Sequence, residues 1–119
     1  MKKDNIIQEK SYRFALEIID LYKALKNQEN EYVLSKQILR SGTSIGSNIE
    51  EAIGGQSKKD FISKLSIAYK EARETHYWIR LLRDSNYLNS QKADSLLRDC
   101  VELQKIIGSI LNTMKNQKP

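Results

Sequence analysis

The chain has 119 residues, of which 20 are Lys or Arg and 15 are Asp or Glu, for a net charge of +5. One Cys excludes an internal disulfide framework and a cysteine metal cluster, and one His excludes multi-histidine metal sites. Five Gly and one Pro argue against a many-turned β-sandwich, and no apolar run approaches the roughly 20 residues of a membrane span.

Four heptad ladders follow in order. Ile7, Ser11, Phe14, Ile18, Leu21 and Leu25 alternate steps of four and three, the seam of one helix face. Leu34, Ile38, Ser41, Ile45, Asn48 and Ala52 repeat it, as do Phe61, Leu65, Ala68, Ala72, Thr75, Ile79 and Leu82. Leu96, Cys100, Leu103, Ile107, Ile110 and Met114 make the fourth. Punctuation lies between them. Gly54-Gly55 suits a left-handed C-cap, Ser57 with Asp60 resembles a capping box, and Asn89 or Ser90 suits an N-cap. The ladders predict helices over roughly 4–27, 31–53, 58–85 and 90–115. The fold class expected is all-α, an antiparallel up-down four-helix bundle, with 1–119 a single domain. The N-terminal stretch MKKDNIIQEK has no apolar segment of a secretory signal. The expected protein is therefore cytoplasmic, with no membrane association.

The second helix runs against local propensity. Ser41-Gly42-Thr43-Ser44-Ile45-Gly46-Ser47-Asn48 is a poor helix former, yet the ladder continues through it. Gly42 and Gly46, four apart, leave one surface as bare backbone, and Ser41, Ser44 and Asn48 add small polar groups beside it. These five residues are expected to serve close helix packing, with an oligomer contact or ligand notch as the alternative.

The run from Gln37 to Glu51, QILRSGTSIGSNIEE, resembles the signature of the four-helix-bundle proteins encoded within 23S rRNA intervening sequences. Lys59–Ala68 and Glu71–Ile79 are similar to the third helix of that family. The family in turn resembles the accessory protein of diversity-generating retroelements. The resemblance implies a homopentameric ring of bundles, with RNA or DNA as partner.

Catalytic chemistry finds little footing. A di-iron carboxylate bundle needs Glu-x-x-His on two helices, and here the one His, His76, has its nearest upstream carboxylate two residues away, at Glu74. Glu50 and Glu51 are adjacent and project in different directions. There is no nucleophile elbow and no Walker-type phosphate loop. Cys100 falls on a ladder position, which suits a core thiol. The reading is a protein that is not an enzyme, with no cofactor, no metal and no small-molecule substrate.

The charge is uneven. Residues 1–60 hold ten basic and nine acidic side chains, and residues 61–119 hold ten and six. Lys70, Arg73, Arg80 and Arg83 fall on one broad face of the third helix, interleaved with Tyr69, His76 and Tyr77. Guanidinium forks suit phosphates and rings suit unpaired bases, so Lys70, Arg73, Tyr77, Arg80 and Arg83 are the expected nucleic-acid-binding residues. Glu74 after Lys70, and Asp94 before Arg98, are expected to neutralise part of that charge within their helices. Two functions follow: an oligomeric accessory protein binding RNA or DNA through this face, or a structural or protein-interaction assembly module. Trp78 and Ile67 suit either a wider core or a subunit contact.

Overall fold

Each ladder becomes one long helix. The computed structural model describes residues 2–117, with α1 at Lys2–Asn27, α2 at Leu34–Ile53, α3 at Lys58–Asp84 and α4 at Ser90–Lys115. At about 1.5 Å per residue such helices are about 30–40 Å long, and they form a rod of 52 × 21 × 20 Å.

Cross-helix pairs give the directions. Gln8, early in α1, donates to both carboxylate oxygens of Glu50, late in α2, at 3.0 and 2.9 Å. Arg40 of α2 reaches Glu74 of α3, Arg83 of α3 reaches Asp94 of α4, and Lys10 of α1 reaches Glu102 of α4. Every helix therefore runs opposite to its neighbours, and α4 returns beside α1 to close the bundle.

The ladder side chains supply most of the core, but in α2 the buried residue is Ile49 rather than the ladder's Asn48, and Ala93 and Leu111 of α4 join the core from off the ladder. Ile18, Ile38, Ile45, Ile79 and Ile107 are wholly buried, each worth about 1.5–3 kcal/mol of transfer free energy. The buried hydroxyls on the ladders are bonded. Thr75 Oγ1 lies 2.9 Å from Ser41 Oγ and 2.8 Å from the Glu71 carbonyl oxygen, and Ser11 donates to the Gln8 carbonyl. The Cys100 thiol is buried and donates to the Ala72 carbonyl at 3.1 Å. Burial, followed by the nearby Asp99 charge, pushes its pKa up to about 12.

One boundary and one cap differ from the sequence expectation. α2 begins at Leu34, not 31, because Asn30 turns left-handed (φ 54°) and the Glu31 amide bonds back to the Leu25 carbonyl at 2.9 Å. That closes the C-terminus of α1 and leaves the Glu31 carboxylate to accept from the Ser35 amide at 2.7 Å. A side chain outside the helix thus caps α2, in place of an N-cap residue. Gly54 does not adopt the left-handed cap. Its φ is −79°, and its amide simply continues the last turn to the Glu50 carbonyl. Among the described residues the left-handed positions belong to Asn30 and Asn86, the residue type that best tolerates them after glycine. Ser57 accepts from the Asp60 amide at 3.0 Å, and Asn89 from the Lys92 amide at 2.8 Å.

Candidate nucleic-acid interface

The SGTSIGSN segment stays helical because it packs closely against its neighbours, most tightly at Gly42. A Cβ on Gly42 would stand 2.8 Å from both Ile18 Cγ1 and Ile18 Cγ2, and one on Gly46 would stand 3.4 Å from the Ser11 carbonyl oxygen. Both glycines therefore face α1, Gly42 against the Ile18 side chain and Gly46 against the Ser11 backbone. Ser41 turns instead to α3 and Thr75. Ser44 and Asn48 fold back onto their own helix, donating to the Arg40 and Ser44 carbonyls.

Immediately before this segment, Arg40 spans two carboxylates of α3. It donates to Glu71 at 2.8 Å and also pairs with Glu74. Glu74 in turn accepts from the Trp78 indole N–H at 3.0 Å. The two flanking carboxylates hold the Arg40 guanidinium above its ordinary pKa against a lowering by burial. Glu74 is thus committed to α2 rather than to Lys70.

The outer face of α3 carries the basic set. Lys70, Arg73, Tyr77 and Arg80 are exposed, and among the described residues no carboxylate lies within ion-pair distance of Lys70, Arg73 or Arg80. Arg83 departs from the set. It turns into the seam between α3 and α4, where Nε donates to Asp84 at 2.8 Å and Nη1 to Asp94 at 3.4 Å. The Asp84 bond raises its pKa, and the Arg83 bond lowers that of Asp84. Asp94 is thereby taken by Arg83, not by Arg98 four residues along its own helix. Three cations and one ring therefore remain outward.

Sequence reasoning placed His76 on this face without giving it a role, and it missed Gln104. His76 sits between the outer face and α4, and its Nδ1 accepts from Arg80 Nε at 3.1 Å. Partial burial, then the charges of Arg80 and Arg83, hold the imidazole below its ordinary pKa. The spacing of four residues between His76 and Arg80 was the available signal. Gln104 of α4 completes a shallow hollow with Arg73, Glu74, His76, Tyr77 and Arg80. No sequence pattern could place it there, because the register of α4 against α3 is set by packing. Arg80 also stands over the Tyr77 ring, Cζ 5.7 Å from its centroid. The same ring meets Trp78 edge-on at 5.4 Å. Trp78 is half-buried against the core, and Ile67 lies exposed on α3.

Among the described residues no group of three or more His, Cys, Asp or Glu is placed to hold a metal ion, and no helix is long and apolar enough to cross a membrane. Fold and face together define a small basic all-α bundle with a set of exposed cations around one ring on the outer side of α3. Residues 3–109 match the sequence model of the 23S rRNA-intervening sequence proteins, and the chain belongs to that family. A similar solved structure is a protein of unknown function from the S23 ribosomal protein family of Bacteroides thetaiotaomicron. It is 51% identical, with 92% of this chain and 98% of that one covered and a TM-score of 0.91. No curated protein matches this chain in sequence.

Proposed function

We propose that this chain is a non-enzymatic, cytoplasmic accessory protein that binds RNA or DNA through the outer face of α3 and acts as a homo-oligomer, a pentameric ring. The observation that carries this reading is the exposure of Lys70, Arg73 and Arg80 on one helix face, unpaired by carboxylates among the described residues, around the exposed ring of Tyr77. Cations without internal partners stay available for phosphates, which fix a nucleic acid in place without reading its sequence. In a ring the face would repeat and gain avidity for a long polyanion. The pentamer rests on the family resemblance.

Charge reversal tests the reading. Changing Arg73 and Arg80 to Glu is expected to abolish RNA binding in a mobility-shift assay while light scattering returns an unchanged particle mass. Wild-type affinity should fall with salt on a log–log slope near −0.9 per duplex phosphate contact. If the reversal breaks the oligomer instead, the face is a subunit contact.

A second reading, an assembly or protein-interaction module, is favoured by α1. Tyr12 and Leu16, one turn apart on its outer side, are 64% and 48% exposed. A light-scattering mass equal to the monomer at micromolar concentration would remove self-assembly through this face, and the ring with it.

A further inference from the structure

The hollow between α3 and α4 has more chemistry than a charged stripe requires. Arg73 and Arg80 stand two helical turns apart on one side of Tyr77, and Gln104 enters from α4 with an amide that can both donate and accept. The Tyr77 ring is 48% exposed, steadied by the edge of Trp78 and overhung by the Arg80 guanidinium. Arg80 gives its Nε–H to His76, which leaves its terminal nitrogens for an oxyanion. Phosphate donors, a stacking ring and a polar amide are the three groups that one nucleotide engages.

We propose that Arg73, His76, Tyr77, Arg80 and Gln104 form a site for one unpaired nucleotide of a single-stranded nucleic acid, its phosphate between the two arginines and its base on Tyr77. The inference rests on the proposed polyanion-binding face and deepens it. In a duplex the base faces are already stacked on one another, so Tyr77 has nothing to engage.

The His76–Arg80 bond makes the site proton-sensitive. Nδ1 can accept from Arg80 only while it carries no proton. The groups around His76 are Arg73, Glu74, Arg80 and Arg83 on α3 and Cys100 and Gln104 on α4. Glu74 is held by Arg40 and Trp78, and the Cys100 thiol stays neutral. The surroundings therefore disfavour imidazolium. A bound phosphate supplies the anion they lack and draws a proton onto His76 Nδ1, which releases Arg80 Nε so that the imidazolium and the whole guanidinium face the phosphate together. By linkage, affinity rises as pH falls below the ordinary histidine range.

The experiment uses fluorescence anisotropy with a labelled oligouridylate and a labelled RNA duplex of equal length, at low constant ionic strength, at about pH 5.5 and about pH 7.5. The wild type should bind the single strand more tightly than the duplex. Tyr77→Ala, at an exposed position whose fold is checked by circular dichroism, should weaken single-strand binding by roughly tenfold to a hundredfold and leave duplex binding unchanged. Acidification should tighten wild-type binding to the oligouridylate more than it tightens binding by His76→Gln. Equal affinity for the two RNAs, with Tyr77→Ala silent, overturns the nucleotide site and leaves the polyanion face standing. An identical pH response in His76→Gln overturns the proton linkage. A wild type that binds neither RNA overturns the face itself.

Discussion

α1 is flanked by two seams of opposite character. Against α2, glycine removes the side chain at Gly42, and Ile18 fills the space so closely that a single methyl would overlap it. Against α4 the approach is looser. That seam is bordered by charge: Lys10 pairs with Glu102 at 3.2 Å, and Glu17 lies near Asp99, Asp20 and Lys92. Shallow hollows open there, lined in part by Lys10, Arg13, Glu17 and Asp99. The first seam takes its strength from shape, because dispersion and burial reward close approach. The second depends on charges that water screens. One helix thus meets a closely packed, rigidly shaped seam on one side and a more loosely packed one on the other.

The sharpest way to break this contrast is Gly42→Ala. The added methyl would press on Ile18, a wholly buried β-branched side chain with little room to rotate. Stability should drop by about 1–3 kcal/mol in chemical denaturation. A neutral result would mean that α1 and α2 separate freely, and the shape argument would fail.

Gly46→Ala sharpens the same seam. Its Cβ would meet the Ser11 carbonyl oxygen at 3.4 Å, close to ordinary contact. Alanine also removes most of the helical cost of glycine. The expected change is a gain of up to about 1 kcal/mol. A loss as large as that at Gly42 would show the two glycines to be equally crowded.

On the charged seam, a double-mutant cycle on Lys10 and Glu102 should return a coupling of about 0.2–1 kcal/mol that fades as salt is raised. Coupling that persists in high salt would group this pair with the closely packed seam.

The smallest effect belongs to Glu17. Burial, followed by the Asp99 charge, raises its pKa in the folded chain. Its ionised form therefore costs stability above that raised value, and the cost disappears as the folded protein takes up a proton on acidification. Glu17→Gln should stabilise the protein at neutral pH by a few tenths of a kcal/mol, since the group is largely exposed and screened. The difference from wild type should close as pH falls into the ordinary carboxylate range. Thermal melts across that range would read it, and a gap that widens with acid would reverse the assignment.

The particular elements show where sequence reading stops. The ladders were legible residue by residue because helix formation and burial follow a short period, so spacing alone puts Ile18, Ile45, Ile79 and Ile107 inside. The caps at Ser57 and Asn89 were legible for the same local reason. The turn after α1 was not. Glu31 reaches forward to cap α2 only once Asn30 has turned the chain left-handed, and no propensity names that pair in advance.

The basic face divides along the same line. Sequence determined that the cationic excess lies on the third and fourth helices and that Lys70, Arg73, Tyr77 and Arg80 share the outer side of the third, because position on a helix follows from spacing alone. It could not determine which of them stay unpaired. That depended on α2 presenting Arg40 to Glu71 and Glu74, and on α4 presenting Asp94 to Arg83 and Gln104 to the hollow. Charge is a property of a residue. Neutralisation belongs to a pair, and the pairs here join residues about 10–35 positions apart. Their registers come from how Ser41 meets Thr75 and Cys100 meets Ala72 where the helices seat against one another, which tertiary packing alone decides.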